Sequence, residues 1–304
     1  MIREVVWQKA VEELQQGQIV ALPTETVYGL GASVEHESAL QEIFRTKGRP
    51  SFDPLIVHVS SLAQAKSLVK IWPPVADKLA LEFWPGALTL ILKKKDHISM
   101  TITAGLKTVG IRLPSHPIMR SIIENLGAPI AAPSANRFKR TSPTTVAHVR
   151  TEFPDADFAI VNGGPSEVGI ESTIVSLGED RIEILRLGMI SKSEIEKVVG
   201  RPVSILESDA ALGLAPGTLR EHYQTSKPLY LLSETEIPSG ILQQKFFEIS
   251  LPSDPFAAAR TLYSKMREAD LSEAELLIVR KTALHDGPYW DAIWDRLSRA
   301  ASKI

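Results

Sequence analysis

The sequence predicts an α/β (α+β) protein with one large and one smaller domain, and three observations lead there. Strand-length apolar runs alternate with helically spaced segments up to Val199, the pattern of helices packed on a sheet. That alternation lapses after Leu206 and resumes at Leu229. The length of 304 residues also exceeds the roughly 150 of an average domain.

Residues 7–16 space their apolar side chains helically and stop at Gly17, as at a C-terminal cap. Residues 19–22 predict a strand closed by Pro23, and residues 24–31, polar and glycine-bearing, read as a loop at its end. Helices follow at 38–47 and 62–71, with strands at 54–59 and 87–92. Further strands are expected at 109–113, 129–132, 158–161, 172–177 and 182–187, and helices at 116–126 and 193–199. These elements make residues 1–206 one domain. Residues 207–228 are rich in Gly, Ala, Pro and polar types with no continuous apolar face, so they read as a linker. Strands at 229–232, 240–242 and 276–279 and helices at 255–269 and 289–301 make residues 229–304 the second domain.

Hydrophobic residues make up 44% and charged residues 23%, enough apolar side chains for a core and too few charges for a disordered tail. Lys plus Arg number 34 against 36 for Asp plus Glu, so no global field recruits nucleic acid or membrane, and any anion site must be local. Cysteine is absent, which excludes disulfides, thiolate catalysis and zinc fingers. Arg3 and Glu4 interrupt what would be a signal peptide's apolar region, and no run approaches the ~20 apolar residues of a membrane helix. A soluble, unexported, cytoplasmic protein with no membrane partner is expected.

Several chemistries are missing. There is no G-x-x-x-x-G-K-S/T phosphate loop, Gly29-Leu30-Gly31-Ala32-Ser33-Val34 lacks the third glycine of a dinucleotide fingerprint, and neither H-E-x-x-H nor G-x-S-x-G occurs. Polar segments at strand edges remain. Pro23-Thr24-Glu25-Thr26-Val27-Tyr28-Gly29-Leu30 places two hydroxyls and a carboxylate beside a glycine turn, although an ordinary capped turn has the same composition. In Lys47-Gly48-Arg49 two cations flank a glycine before a buried strand, where they converge on an anion such as phosphate or merely complement a helix dipole. Residues 132–144 gather hydroxyls, an amide and three cations where a strand ends, which suits phosphate oxygens and ribose as well as it suits solvent. Arg112 sits in an apolar strand, so an acidic ligand or a side-chain carboxylate must meet it.

Taken in order, Lys47-x-Arg49 followed by Ser134-x-Asn136, with Pro23 to Leu30 upstream, resembles the YrdC/Sua5 family of threonylcarbamoyl-AMP synthases. Trp84-Pro85-Gly86-Ala87-Leu88-Thr89, Gly110-Ile111-Arg112-Leu113-Pro114 and Ile170-Glu171-Ser172-Thr173-Ile174-Val175 support the resemblance. Ala215-Pro216-Gly217 followed by His222-Tyr223 is similar to the linker of the longer, Sua5-type members. The resemblance implies a YrdC-like twisted mixed sheet with flanking helices and a concave basic groove, followed by a linker and a smaller α/β domain. It implies a nucleotidyltransferase that joins L-threonine, bicarbonate or CO2 and ATP into threonylcarbamoyl-AMP and pyrophosphate, with Mg2+ accompanying ATP. A separate transferase would use the product to make N6-threonylcarbamoyladenosine in tRNA.

Carried over by motif, Thr26, His58, Arg112 and Ser172 would hold threonine, and Lys47, Arg49, Asp53, Thr108, Ala132, Ser134, Ser142 and Arg186 would line the ATP side. Lys47, Arg49, Ser134 and Asn136 would form the catalytic group, and His222 and Tyr223 would reach it from the linker. No protein residue is implied as a metal ligand and none is singled out as a general base. Two positions depart from the family: Asp53 stands where asparagine is usual, and the linker lacks the usual methionine after Gly217. A competing reading is a double-stranded RNA- or tRNA-binding module using Arg137, Lys139 and Arg140, without adenylate synthesis. A carbamoyltransferase of the hydrogenase-maturation type would need cysteine-rich zinc modules, which this chain lacks.

Overall fold

The computed structural model describes residues 1–178, 181–206, 211, 213–219, 221–233 and 244–302. Its elements begin β1 (Arg3–Val5), α1 (Trp7–Gln15), β2 (Val20–Leu22), β3 (Gly29–Ser33), α2 (Glu37–Lys47), β4 (Ile56–His58), α3 (Leu62–Ser67) and α4 (Pro74–Phe83). They continue with β5 (Leu88–Lys93), α5 (Met100–Thr103), β6 (Thr108–Arg112), α6 (Pro117–Leu126), β7 (Ile130–Ala131), α7 (Val146–Glu152), β8 (Ala159–Val161), β9 (Thr173–Leu177) and β10 (Ile182–Arg186). After α8 (Lys192–Val199) and β11 (Ser204–Ile205) come β12 (Leu229–Ser233), β13 (Phe246–Glu248), α9 (Pro255–Leu271), β14 (Leu276–Lys281) and α10 (Trp290–Ala300).

Eleven strands form one mixed sheet in the order β1-β8-β2-β3-β7-β4-β6-β5-β9-β10-β11, and three form a parallel sheet in the order β12-β14-β13. In the large sheet β4 runs parallel to β6, which places His58 beside Arg112, and β5 runs parallel to β9. The core beneath is continuous from Tyr28 and Leu40 to Ile111 and Ile184, all fully buried. A second apolar cluster joins Leu262, Tyr263, Leu277 and Trp290 to Val27, Ile170 and Met189, so the smaller sheet's helices pack directly against the large domain.

Local chemistry explains the helix ends. Ser191 and Glu194 form a capping box at the start of α8, and Gly48 in the left-handed region (φ 61°) ends α2, turning the chain so that Lys47 and Arg49 point back toward the sheet.

The expected loop at residues 24–31 is shorter than predicted, because Gly29–Ser33 is a strand between β2 and β7. Its glycines read as turn signals but serve close packing: a Cβ on Gly31 would lie 2.8 Å from Leu22 Cδ1 and 2.9 Å from Ile130 Cγ2. Helix α4, not foreseen, starts at Pro74, a position where a helix tolerates proline because that N–H has no partner anyway. The strand expected at 240–242 lies outside the described residues, as do residues 207–210, 212 and 220 of the linker. Among the described residues no helix is long and apolar enough to cross a membrane.

Candidate active site

A cavity of about 50 Å3 opens where β2, β4, β7, β9 and β10 end, and the linker closes it from outside through Pro216, Gly217, His222 and Tyr223. Three guanidiniums, from Arg49, Arg112 and Arg186, and the carboxylate of Glu171 line it.

One wall is built around Arg112. Its Nη2 lies 2.7 Å from Glu25 Oε1, its Nη1 donates to Thr26 Oγ1 (2.8 Å) and its Nε to the Gly86 carbonyl (3.1 Å). Thr24 donates its one hydroxyl proton to the Val27 carbonyl (2.6 Å), so the 2.9 Å contact between the two threonines runs from Thr26 to Thr24. The turn is thus wired from guanidinium to backbone, and Thr26 is held facing inward. Glu25 also accepts from the Ser115 N–H (3.0 Å). Burial alone would raise its pKa, but Arg112 and that N–H outweigh burial and hold it below the usual carboxylate value. Burial, with Arg112 adjacent, lowers His58 to about 3, so its imidazole is neutral. Its Nδ1 is buried without a partner among the described residues.

The opposite wall is cationic. Lys47 is buried at the end of α2 and donates to the Ser134 carbonyl (2.5 Å) and to the Asn136 carbonyl. Burial, with Arg49 nearby, pushes its pKa well below the ordinary lysine value. Arg49 pairs with Asp53 (Nη2 to Oδ1, 2.9 Å) and donates to the Asp53 and Pro54 carbonyls (3.0 and 2.7 Å). Asp53 is therefore turned to Arg49, and its Oδ2 has no hydrogen-bond partner among the described residues. Arg186 grips the Ser172 carbonyl through Nε and Nη2 (3.1 and 3.0 Å), and Nη2 also reaches Ser172 Oγ (3.1 Å). Its Nη1 donates to the Pro216 carbonyl (2.9 Å), tying sheet to linker.

Of the residues singled out from sequence, Thr26, Arg49, His58, Arg112, Ala132, Ser134, Ser172, Arg186, His222 and Tyr223 line this one cavity. Lys47, Asp53, Asn136 and Ser142 stand behind it, Ser142 donating to Glu171 (2.6 Å). Thr108 lines a neighbouring cavity of about 10 Å3 that shares Ile56 and Pro216 with the first. The two spaces hold a few waters, whereas small-molecule sites usually measure ~300–1,000 Å3, so a nucleotide-sized ligand requires a wall to give way. Glu25 and Glu171 were given no role from sequence. The signal for Glu25 was the need of a buried Arg112 for a counter-ion; the fold decides which carboxylate answers.

The basic loop is largely occupied by internal contacts. Arg137 donates to Glu152, Lys139 pairs with Glu221 at 3.0 Å and Arg140 meets Asp270 at 3.5 Å. Among the described residues no three His, Asp or Glu side chains gather as a metal site.

Comparison with known proteins agrees with this geometry. The Sua5/YciO/YrdC family model, described as "Telomere recombination", matches residues 12–188, and the model described as "Threonylcarbamoyl-AMP synthase, C-terminal domain" matches residues 190–302. The threonylcarbamoyl-AMP synthase of Bacillus subtilis is 44% identical over 225 residues, a match that spans 73% of this chain and 65%, just under two thirds, of that protein. The crystal structure of Pyrococcus abyssi Sua5 complexed with L-threonine is 33% identical, has a TM-score of 0.88, and aligns over 99% of this chain and 97% of that one. Escherichia coli YciO, 22% identical with a TM-score of 0.55, aligns over 95% of its own chain but 62% of this one, so the large-sheet fold also occurs alone. With the mixed sheet, the motifs around the cavity and both family models in agreement along its length, the chain belongs to the Sua5/YciO/YrdC family.

Proposed function

We propose that this protein is an L-threonylcarbamoyl-AMP synthase. The observation that carries the reading is that one cavity sets a guanidinium ringed by hydroxyls and a neutral imidazole opposite a second, cationic wall. An amino acid needs the first and a triphosphate the second.

Arg112 holds the threonine carboxylate through its planar fork, sharing it with Glu25, while Thr26, Ser172 and uncharged His58 meet the polar atoms of the substrate. The uncharged threonine amine attacks the carbon of CO2; the N–C bond forms as one C=O π pair moves onto oxygen, and the proton lost from nitrogen passes to water, leaving a carbamate. A carbamate oxygen then attacks the α-phosphorus of ATP, and the bond to the bridging oxygen breaks, releasing pyrophosphate. No protein nucleophile is required, because the carbamate is already an oxyanion. Catalysis lies in alignment and in neutralising charge on the leaving group, the part taken by Lys47, Arg49 and Arg186. Ser134 and Asn136, whose carbonyls accept from Lys47, keep that side chain in place. The described residues fit Mg2+ only as a cation carried in on the nucleotide, where it would neutralise phosphate oxygens, since they offer it no cage. The linker must swing aside to admit ATP, and the product passes to a transferase acting on tRNA in the cytoplasm.

The test is pyrophosphate release from ATP with bicarbonate and Mg2+, with and without L-threonine, using serine and alanine as controls. Release should require both threonine and bicarbonate and fall about 100-fold or more in Lys47→Ala or Arg49→Ala, as removal of one preorganised charge at a reacting phosphoryl group does. Threonine-independent release, or none from folded protein, refutes the proposal.

A further inference from the structure

Glu171 is where the second domain touches the cavity wall. Its Oε1 accepts from Ser142 (2.6 Å), and its Oε2 accepts from the Tyr263 hydroxyl on α9 (2.9 Å) and from Arg296 Nε on α10 (2.8 Å). Arg296 is wholly buried, with its guanidinium over the Tyr223 ring at 5.3 Å. Its Nη1 meets Asp295 (2.7 Å) and its Nη2 donates to the Leu187 carbonyl (2.8 Å). One guanidinium thus binds the residue before Ser172, the residue after Arg186 and the linker ring.

Taking a complete ion pair out of water adds little net stability, and the large-sheet fold occurs without this domain. The pair does control a charge. Glu171 lies beside Arg186 in the cavity wall, and a carboxylate left unpaired there would compete with phosphate for Arg186 and repel it.

Resting on the synthase reading, we propose that Arg296, backed by Tyr263, is a positioning residue: it neutralises and fixes Glu171 from the second domain and so keeps Ser142 and Arg186 set for the nucleotide. The groups facing Glu171 are Ser142, Arg186, His222, Tyr223, Tyr263 and Arg296, with Asp295 behind Arg296. Burial would raise the Glu171 pKa, but Arg296, then Arg186 and the hydrogen bonds, bring it to about 2, so it stays ionised in the wild type. Without Arg296 the largest opposing influence is gone, and the carboxyl takes up a proton as the pH falls.

The experiment measures KM for ATP and for threonine, and kcat, from pH 6 to 9 in the full-length wild type, Arg296→Lys, Arg296→Met and Glu171→Gln/Arg296→Met. Arg296→Met should raise the KM for ATP about tenfold or more at pH 9 with a smaller change in kcat, the penalty shrinking toward pH 6. Arg296→Lys keeps the charge and loses the fork, so it should show a smaller rise with little pH dependence. The double variant leaves no carboxylate to compete for Arg186, so its KM for ATP should lie at least about threefold below that of Arg296→Met at pH 9 and vary little with pH. If Arg296→Met does not fold, Arg296→Lys decides. An unchanged KM for ATP in Arg296→Lys, or a double variant whose KM for ATP at pH 9 is as high as that of Arg296→Met, overturns the proposal while leaving the wild type an active synthase. A wild type with no threonine-dependent release refutes the functional reading instead.

Discussion

Arg112 already has a carboxylate partner, so on the proposed synthase reading the site would recognise threonine by sharing a guanidinium rather than by supplying a free one. The Glu25 pair offsets the charge of Arg112 and aims its fork in a buried strand, leaving a carboxylate ligand the remaining donor geometry. Arg112→Lys, which cannot reproduce two parallel bonds, should raise the KM for threonine about tenfold or more. The KM for ATP should stay within about threefold in the same assay, since the planar fork is lost only on the amino-acid wall; equal effects on both substrates would contradict the division into two walls. Asp53 poses the opposite case. It offsets Arg49 at 2.9 Å, so Asp53→Asn should strengthen the pull of Arg49 on phosphate and lower the KM for ATP a few-fold, roughly the worth of one screened charge contact. The fold should survive because Arg49 keeps its bonds to two backbone carbonyls, and thermal melting reports that directly. Sequence alone exposed the need for an anion at Arg112 and at Lys47-x-Arg49. It hid Glu25 and Glu171, because a carboxylate within a motif does not say which cation it will face.

At the scale of elements, what was legible followed from local chemistry. Helix α8 carries its capping box in four consecutive residues, and α6 runs from Pro117 to a left-handed Gly127, so each end is written where it occurs. Strand β3 was not legible, because residues chosen to let strands approach look like those chosen to let a chain turn. Linker residue Tyr223 is likewise unusual only in three dimensions. It adopts φ 61° without being glycine, stacked on Tyr263 at 5.7 Å and held under Arg296. Gly169 shows how closely the second domain sits. It has φ 86°, and a Cβ there would lie 2.4 Å from both Ala259 O and Arg260 Cα of α9. Gly169→Ala must therefore push α9 away, and it should cost about 1–3 kcal/mol from overpacking and left-handed strain. The same displacement would loosen Glu171, two residues on, so calorimetry should show a lower Tm together with a raised KM for ATP. A lower Tm with an unaltered KM would mean that the domain contact stabilises without positioning.

For the molecule as a whole, burying uncharged imidazoles makes acid the natural denaturant. His58 and His222 are held to about 3 and His148 to about 4, in each case first by burial and then, for His58 and His148, by a neighbouring arginine. The ordinary value is 6.5, so in the unfolded chain these groups protonate well before they do in the fold. Each has a depressed folded pKa. Its contribution is fully present above pH 6.5 and is lost as the pH falls toward 3 or 4. Glu171, held to about 2, loses its contribution only in the lower window below its ordinary 4.5. The histidines therefore set the first fall in stability, at up to about 1.4 kcal/mol per pH unit for each of His58 and His222, with less from half-buried His148, whose charge solvent screens. Urea midpoints measured at pH 8.5, 7.5, 5.5 and 4.5 should be nearly flat between the first two and fall steeply thereafter. In His58→Gln the neutral amide keeps polarity without a titrating group, so the decline below pH 6.5 should be shallower by about one proton's worth of slope. A slope unchanged in His58→Gln would mean that the imidazole is charged in the fold, and the neutral, hydrogen-bond-seeking His58 beside Arg112 would have to be given up with it.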